Sequence, residues 1–344
     1  MPRPEALAQL DQLNGYMESA EADAQIAMTN VDCSLTLQRL AGSVEAGKQE
    51  LQMAAALIGT TGGEAAGAIP LISDTALGLW RLRDELRAGG RAVDLAGAKE
   101  LLGGVAAGLL EVSQKLVGAR SLFGSGATTG RGAVENIVAS YALIDVVPHT
   151  LDRLRTATEN LAVPALHRMV DESCADDCTN HIGDLLRNMD DSRKSAMART
   201  LAARTKAGRT AVGLNDLVAD GKAVPIYEIK VAEAIASNQS AVDKINATIE
   251  KCGKAANLTG GSRVAAIDLI AQRVQEGVRD TQRAQRTLQK VAIVTPSTMK
   301  ALTHIGEELT AAAEDSGVAT DHVREILGSI ATFRALLDQH AAHI

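Results

Sequence analysis

Aromatic side chains are nearly missing from this sequence: 344 residues contain one Trp, three Tyr and two Phe. With apolar residues at 46% of the chain the core has to be aliphatic, and platforms on which bases or sugars stack are excluded. An excess of positive charge is missing as well. Thirty-five Lys and Arg against 42 Asp and Glu leave a net charge of −7, the opposite of the basic footprint of a nucleic-acid binder. Nowhere do about 18 apolar residues run together, so no transmembrane segment is expected. The start, Met1-Pro2-Arg3-Pro4 followed by Glu5, lacks the unbroken apolar stretch of a secretory signal, which predicts a soluble, cytoplasmic chain. Cysteine is limited to Cys33, Cys174, Cys178 and Cys252, and without a secretory signal these fit reduced, buried thiols better than a disulfide framework. The Asn-x-Ser/Thr sequences at Asn238, Asn246 and Asn257 are then not expected to carry glycans.

What the sequence does have is a recurrence of apolar residues every three or four positions, the signature of amphipathic helices. Leu95, Ala98, Leu102, Val105, Leu109, Val112 and Leu116 fall on one stripe, and Leu37, Leu40, Val44, Gly47, Leu51, Ala54 and Ile58 on another. The same pattern runs through 231–252 and 264–291. Only 224–231 alternates like a strand, and its helical surroundings override that. Glycine and proline interrupt the pattern at 59–67, 89–90, 124–132, 221–225, 260–261, 295–296 and 316–317. Taken as helix stops and starts, these predict helices at roughly 4–22, 24–58, 67–88, 93–120, 132–175, 178–220, 225–257, 262–294, 296–315 and 319–342. In the fifth, Val134, Ile137, Tyr141, Ile144, Leu151, Leu154, Leu161 and Ala165 keep one register over about 60 Å at 1.5 Å per residue, enough to serve two bundles in succession. Pro148 and Pro164 lie inside it and are expected to bend or interrupt it.

Few groups here are placed for chemistry. GSGATTGRG over 124–132 has the glycines of a phosphate loop, but no strand precedes it and the Gly-Lys-Ser/Thr ending is missing, so an inter-helix loop is expected. His167, Cys174, Cys178 and His181 share one helical face, yet fourteen residues of helix span about 21 Å, too far for four ligands on one zinc. Only Cys174 and Cys178 are near enough to share an ion, and buried thiols are the simpler reading. No His-Glu-x-x-His and no Glu-x-x-His occurs. Neither a catalytic set, a metal site nor a cofactor is expected. Arg193, Lys194, Arg199, Arg204, Lys206 and Arg209 scatter around their helix, whereas Arg279, Arg283, Arg286 and Lys290 fall on one narrow stripe opposite the apolar face. That stripe reads first as a solvated face and second as a docking strip for an acidic lipid headgroup or an acidic partner.

The order of segments resembles the N-terminal head of the vinculin and α-catenin adaptors. The resemblance is carried by 95–110 (LAGAKELLGGVAAGLL) and by the long helix with 142–147 (ALIDVV), 156–161 (TATENL) and 169–172 (MVDE). It is traceable over 24–175, with talin-rod bundles next in texture. It implies an all-α fold of consecutive antiparallel four-helix bundles, the first two sharing one long helix: a first bundle over 1–150, a second over 151–258 that shares the helix 132–175, and C-terminal helices over 259–344 that complete the second bundle or start a third. In that family the first bundle takes an amphipathic helix of talin, α-actinin or β-catenin type between its first two helices. The positions that match are Leu7, Leu10, Leu13 and Met17 on the first helix and Leu37, Leu40, Val44 and Leu51 on the second. All eight are equally readable as core. Nothing matches the family's actin-binding tail, so direct actin binding is not expected.

The function expected on these grounds is a non-enzymatic, cytoskeletal or adhesion-type adaptor that captures a partner helix, with a homodimer through the same apolar surface left open. The alternative is a microbial helical-bundle effector or signalling protein that shares the architecture without those partners.

Overall fold

The computed structural model describes residues 4–88, 95–161 and 176–341, with side chains over 8–88, 95–161 and 182–339. The protein is an all-α helical bundle with no strand among the described residues. Six helices follow one another: α1 Pro4–Val31, α2 Ser34–Arg87, α3 Leu95–Leu161, α4 Asp176–Val218, α5 Ala223–Ala255 and α6 Gly260–Ala341. The stretch 224–231 is helical too, and its buried residues Val224, Tyr227 and Val231 repeat every three or four positions.

Most of the expected interruptions are absent. The glycines of 59–67 lie inside α2, those of 124–132 inside α3, and Thr295, Pro296, Ser316 and Gly317 inside α6. Pro70 and Pro148 are likewise internal to α2 and α3. A helical glycine costs about 1 kcal/mol and a proline about 3, and in a bundle each is set against an apolar face buried along many turns. Some of these glycines are also wanted for contact. A Cβ on Gly130 would lie 2.6 Å from Cγ1 of Val218, so within the nominal loop α3 comes close against α4. Gly221 and Gly260 do end helices, with φ of 76° and 57° in the left-handed region that glycine adopts freely. The break expected near residue 23 falls instead at Asp32 and Cys33, between α1 and α2. Pro164 and Ala165 lie outside the described residues.

The helices make two compact units, and neither is a continuous piece of chain. Unit 1 is Met1–Val44, Gly132–Leu214 and His304–Ile344, and unit 2 is Glu45–Arg131 and Asn215–Thr303. This replaces the expected succession of 1–150, 151–258 and 259–344. It also replaces the expected single shared helix 132–175, because α2, α3, α4 and α6 all contribute to both units. The sequential expectation failed because it treated each glycine cluster as a reversal of direction.

Unit 1 is an antiparallel four-helix bundle. One part of its core joins Leu13 to Val31 of α1, Val147 to Leu161 of α3, Ile182 to Ala196 of α4 and Ala319 to Leu337 of α6. Asp23 of α1 pairs with Arg153 of α3 at 2.9 Å, and Glu21 with Arg334 of α6 at 2.8 Å. Where α1 ends, the Ser316 hydroxyl of α6 donates to the Val31 carbonyl at 2.5 Å and accepts from the Cys33 amide at 3.2 Å. α2 then begins beside Gly317 and continues on the same course as α1, antiparallel to α6. In unit 2 the core joins Ile72 to Leu79 of α2, Leu95 to Leu109 of α3, Ala241 to Ala255 of α5 and Ile267 to Val278 of α6. Asn238 of α5 is fully buried, and its amide donates to the Leu109 carbonyl at 2.6 Å and the Ser113 hydroxyl at 2.9 Å, which places it out of reach of a glycosyl group. Cys33 and Cys252 are buried free thiols, each pushed above its ordinary value by burial.

Candidate functional site

Of the eight positions matched to a partner-helix groove, most belong to the core. Leu13, Met17, Leu37, Leu40, Val44 and Leu51 are buried, Leu10 is half-buried, and the side chain of Leu7 lies outside the described residues. Leu51 belongs to unit 2, the others to unit 1. A groove between the first two helices needs those helices side by side, and α1 and α2 instead follow one another, each in turn packed on α6 in unit 1. The chain reverses at neither Asp32 nor Cys33, because Ser316 satisfies the exposed backbone groups and lets a two-residue interruption pass.

The metal-ligand types give no assembly to describe. His167 and Cys174 lie outside the described residues, as do the side chains of Cys178 and His181. Among the described residues no three His, Cys, Asp or Glu come together as metal ligands do. One arrangement in unit 1 has the residue types of a hydrolase: Ser192 and His322 both contact Glu325 Oε2, at 2.9 and 3.0 Å. The order is wrong for nucleophilic catalysis. The carboxylate stands between serine and histidine, and the hydrogen bonds from His322 and then Ser192 hold it below its ordinary value, which makes it a poorer base for the hydroxyl.

Charge is distributed unevenly between the units. Unit 1 has 14 Lys and Arg against 24 Asp and Glu, a net of −10, whereas unit 2 has 21 against 18, a net of +3. Arg279, Arg283, Arg286 and Lys290 are all exposed on the α6 segment of unit 2, on the side turned from the apolar residues Val274, Val278, Leu288 and Val291. Arg279, Arg286 and Lys290 have no ion pair among the described residues. The carboxylate nearest to them, Asp280, is taken: Lys244 of α5 donates to it at 2.6 Å and Ser240 at 2.8 Å, leaving Arg283 at 3.9 Å.

Burial alone would raise the Asp280 carboxyl, but the hydrogen bonds from Lys244 and Ser240, with the Lys244 charge, outweigh it and hold the group below its ordinary value. A depressed value in the folded state makes the ionised form the stabilising one. Its contribution is present above about pH 4 and disappears as pH falls through the folded value. Asp280→Asn is therefore expected to lower the unfolding free energy at neutral pH by about 1–3 kcal/mol. Chemical denaturation at decreasing pH checks this, and a deficit that does not shrink in acid would remove the ionic role.

A second surface of unit 2 lies where α2 meets α3. Leu71 and Leu101, 51% and 55% exposed, border a groove of about 460 Å³ whose walls include Asp74, Thr75, Leu79, Leu82 and Ala98. Upstream in α2, residues 55–72 carry a single charge, Glu64, paired at 2.6 Å with Lys115 of α3, which also holds Glu111 at 3.0 Å. By length and composition α1 and α2 contain an 18-residue window apolar enough to cross a membrane, yet only 22% of that window is buried. Sequence reasoning missed this surface because it looked for an unbroken apolar run. The signal available was instead a scarcity of charge among alanine, glycine and threonine.

No family model matches the chain, and no curated protein matches it. Among solved structures, the chain aligns with the SmhB pore of the tripartite alpha-pore forming toxin Smh from Serratia marcescens at 12% identity, over 96% of this chain and 100% of that one, with a TM-score of 0.18. It aligns with the AhlB pore of the tripartite alpha-pore forming toxin AHL from Aeromonas hydrophila at 13% identity, over 95% and 99%, with a TM-score of 0.15. Likeness this slight carries nothing about function.

Proposed function

We propose that this protein is a non-enzymatic helical bundle that works at a lipid bilayer, meeting it through the α2–α3 surface of unit 2. The observation that carries the reading is apolar surface held in solvent where α2 meets α3. Leu71 and Leu101 stand half in solvent on either side of one groove. The adaptor role implied by the vinculin and α-catenin resemblance requires a partner helix to replace buried bundle contacts, and we prefer the bilayer reading because it uses apolar surface that is already exposed.

The test is vesicle co-flotation of the full chain. Burying an exposed leucine is worth about 1.5–3 kcal/mol, so Leu71→Ser with Leu101→Ser is expected to weaken binding to phosphatidylcholine/phosphatidylserine vesicles at least about tenfold. Both residues are half-exposed, so thermal unfolding should change little. Undiminished flotation of the double variant would defeat the reading.

A further inference from the structure

We infer that the exposed face of α6 in unit 2 is a headgroup-reading strip that makes the protein selective for anionic bilayers, an inference that rests on the bilayer reading above and adds to it the lipid class. Arg279, Arg283, Arg286 and Lys290 occupy one face of α6, and three of the four have no ion pair among the described residues. The face does not end at Lys290. From Thr281 to Gly306 the sequence contains no Asp or Glu, and at helical spacing the strip continues through Ile293 to Lys300, both exposed. Ile293 is 77% exposed, more than any other large apolar side chain described. An isoleucine held out in water among cations has the composition of an interfacial helix, in which basic residues meet lipid phosphates while apolar ones enter the boundary below them.

Charge complementarity selects the partner. The unit that bears the strip is net positive in a chain that is net negative, and the excess acid resides in unit 1. Cations of a solvated outer face are ordinarily interleaved with acids, as Lys194 is with Asp190 and Arg324 with Asp321. Here the two carboxylates beside the start of the strip are turned to α5: Asp280 accepts from Lys244 and Ser240, and Glu276 lies 3.9 Å from Lys244. The strip therefore keeps its positive field for an external anion, and a sheet of phosphate and carboxylate headgroups suits a straight row of cations that includes an exposed isoleucine. A nucleic acid offers nothing to Ile293 and finds no aromatic platform near it.

The experiment is co-flotation of the full chain with phosphatidylcholine vesicles that either contain or lack phosphatidylserine, using wild type and an Arg279→Glu/Arg283→Glu/Arg286→Glu variant. Each cation near an anionic surface strengthens binding on the order of fivefold. The expected result is at least a tenfold loss for the variant on phosphatidylserine vesicles, with its binding reduced to the wild-type level on phosphatidylcholine alone. The wild-type preference should also fade as salt is raised. Equal binding of variant and wild type to phosphatidylserine vesicles would overturn the inference, as would tighter wild-type binding to duplex DNA than to vesicles. The leucine variant keeps the two ideas apart: loss of flotation on both lipid compositions belongs to the α2–α3 surface, loss confined to phosphatidylserine vesicles to the α6 strip. Unchanged circular dichroism of the charge variant keeps the comparison on the folded protein.

Discussion

Replacing Phe123 with alanine is expected to remove about 3–5 kcal/mol of stability from unit 2, the largest single-residue effect we anticipate. Phe123 is fully buried and packs edge-on against Tyr227 of α5, with ring centroids 5.6 Å apart. The Tyr227 hydroxyl is in turn engaged with the Thr298 hydroxyl of α6 at 2.6 Å, so one ring pair links three helices. In a core with abundant large side chains, neighbours lean in to fill part of a vacated site. Phe123 is followed in α3 by Gly124, Ser125, Gly126 and Ala127, and short side chains fixed on a long helix have little with which to close a ring-sized hole. Trp80, the sole tryptophan, is packed against the core of the same unit and provides the readout by fluorescence during denaturant unfolding. A loss under about 1 kcal/mol would mean that the site collapses after all.

Ser316→Val is expected to cost unit 1 about 1–3 kcal/mol, through loss of the hydroxyl and the crowding of an added methyl carbon. The hydroxyl is fully buried and is both donor to Val31 and acceptor from Cys33. Valine at that position leaves the interruption between α1 and α2 with the short contact from the Cys33 amide to the Val31 carbonyl, 2.7 Å, in place of the three-way arrangement. Buried backbone groups deprived of a partner carry the desolvation cost in full. Amide exchange at Cys33 checks the mechanism: faster exchange there is expected in Ser316→Val, and unaltered exchange with unaltered stability would show that the serine is incidental.

These two residues also mark how far the fold can be read from sequence. The stripe from Leu95 to Leu116 is legible because period and burial coincide, and it is buried at Leu95, Leu102, Val105, Leu109, Val112 and Leu116. Helix ends are less so. Gly221 and Gly260, at positive φ, act as stops and Gly59, Gly62, Gly63 and Gly130 do not, and of those four only Gly130 has a residue of another helix, Val218, close against it, a contact no local pattern announces. Misplaced ends then become misplaced units, since an added reversal sends a helix to the wrong partner. The joint at Asp32 and Cys33 was hidden for the same reason, its decisive residue being 283 positions away. Of the candidate sites, Arg279, Arg283, Arg286 and Lys290 lie together on an exposed face, as their spacing foretold, because a row on a single helix needs only the helix. Leu71 and Leu101 come from different helices, so no spacing within either one points to the other.

The nesting of the two units in the sequence has a consequence for biosynthesis. Every residue of unit 2 lies between Glu45 and Thr303, whereas unit 1 draws on both sides of that interval. A chain that leaves the ribosome N-terminus first has delivered the whole of unit 2 while the segment from His304 onward is still being made. Val31 must wait 285 residues for Ser316. The first helix synthesised is thus among the last to find its partners, and unit 1, with its long-range closure, is the slower of the two to form.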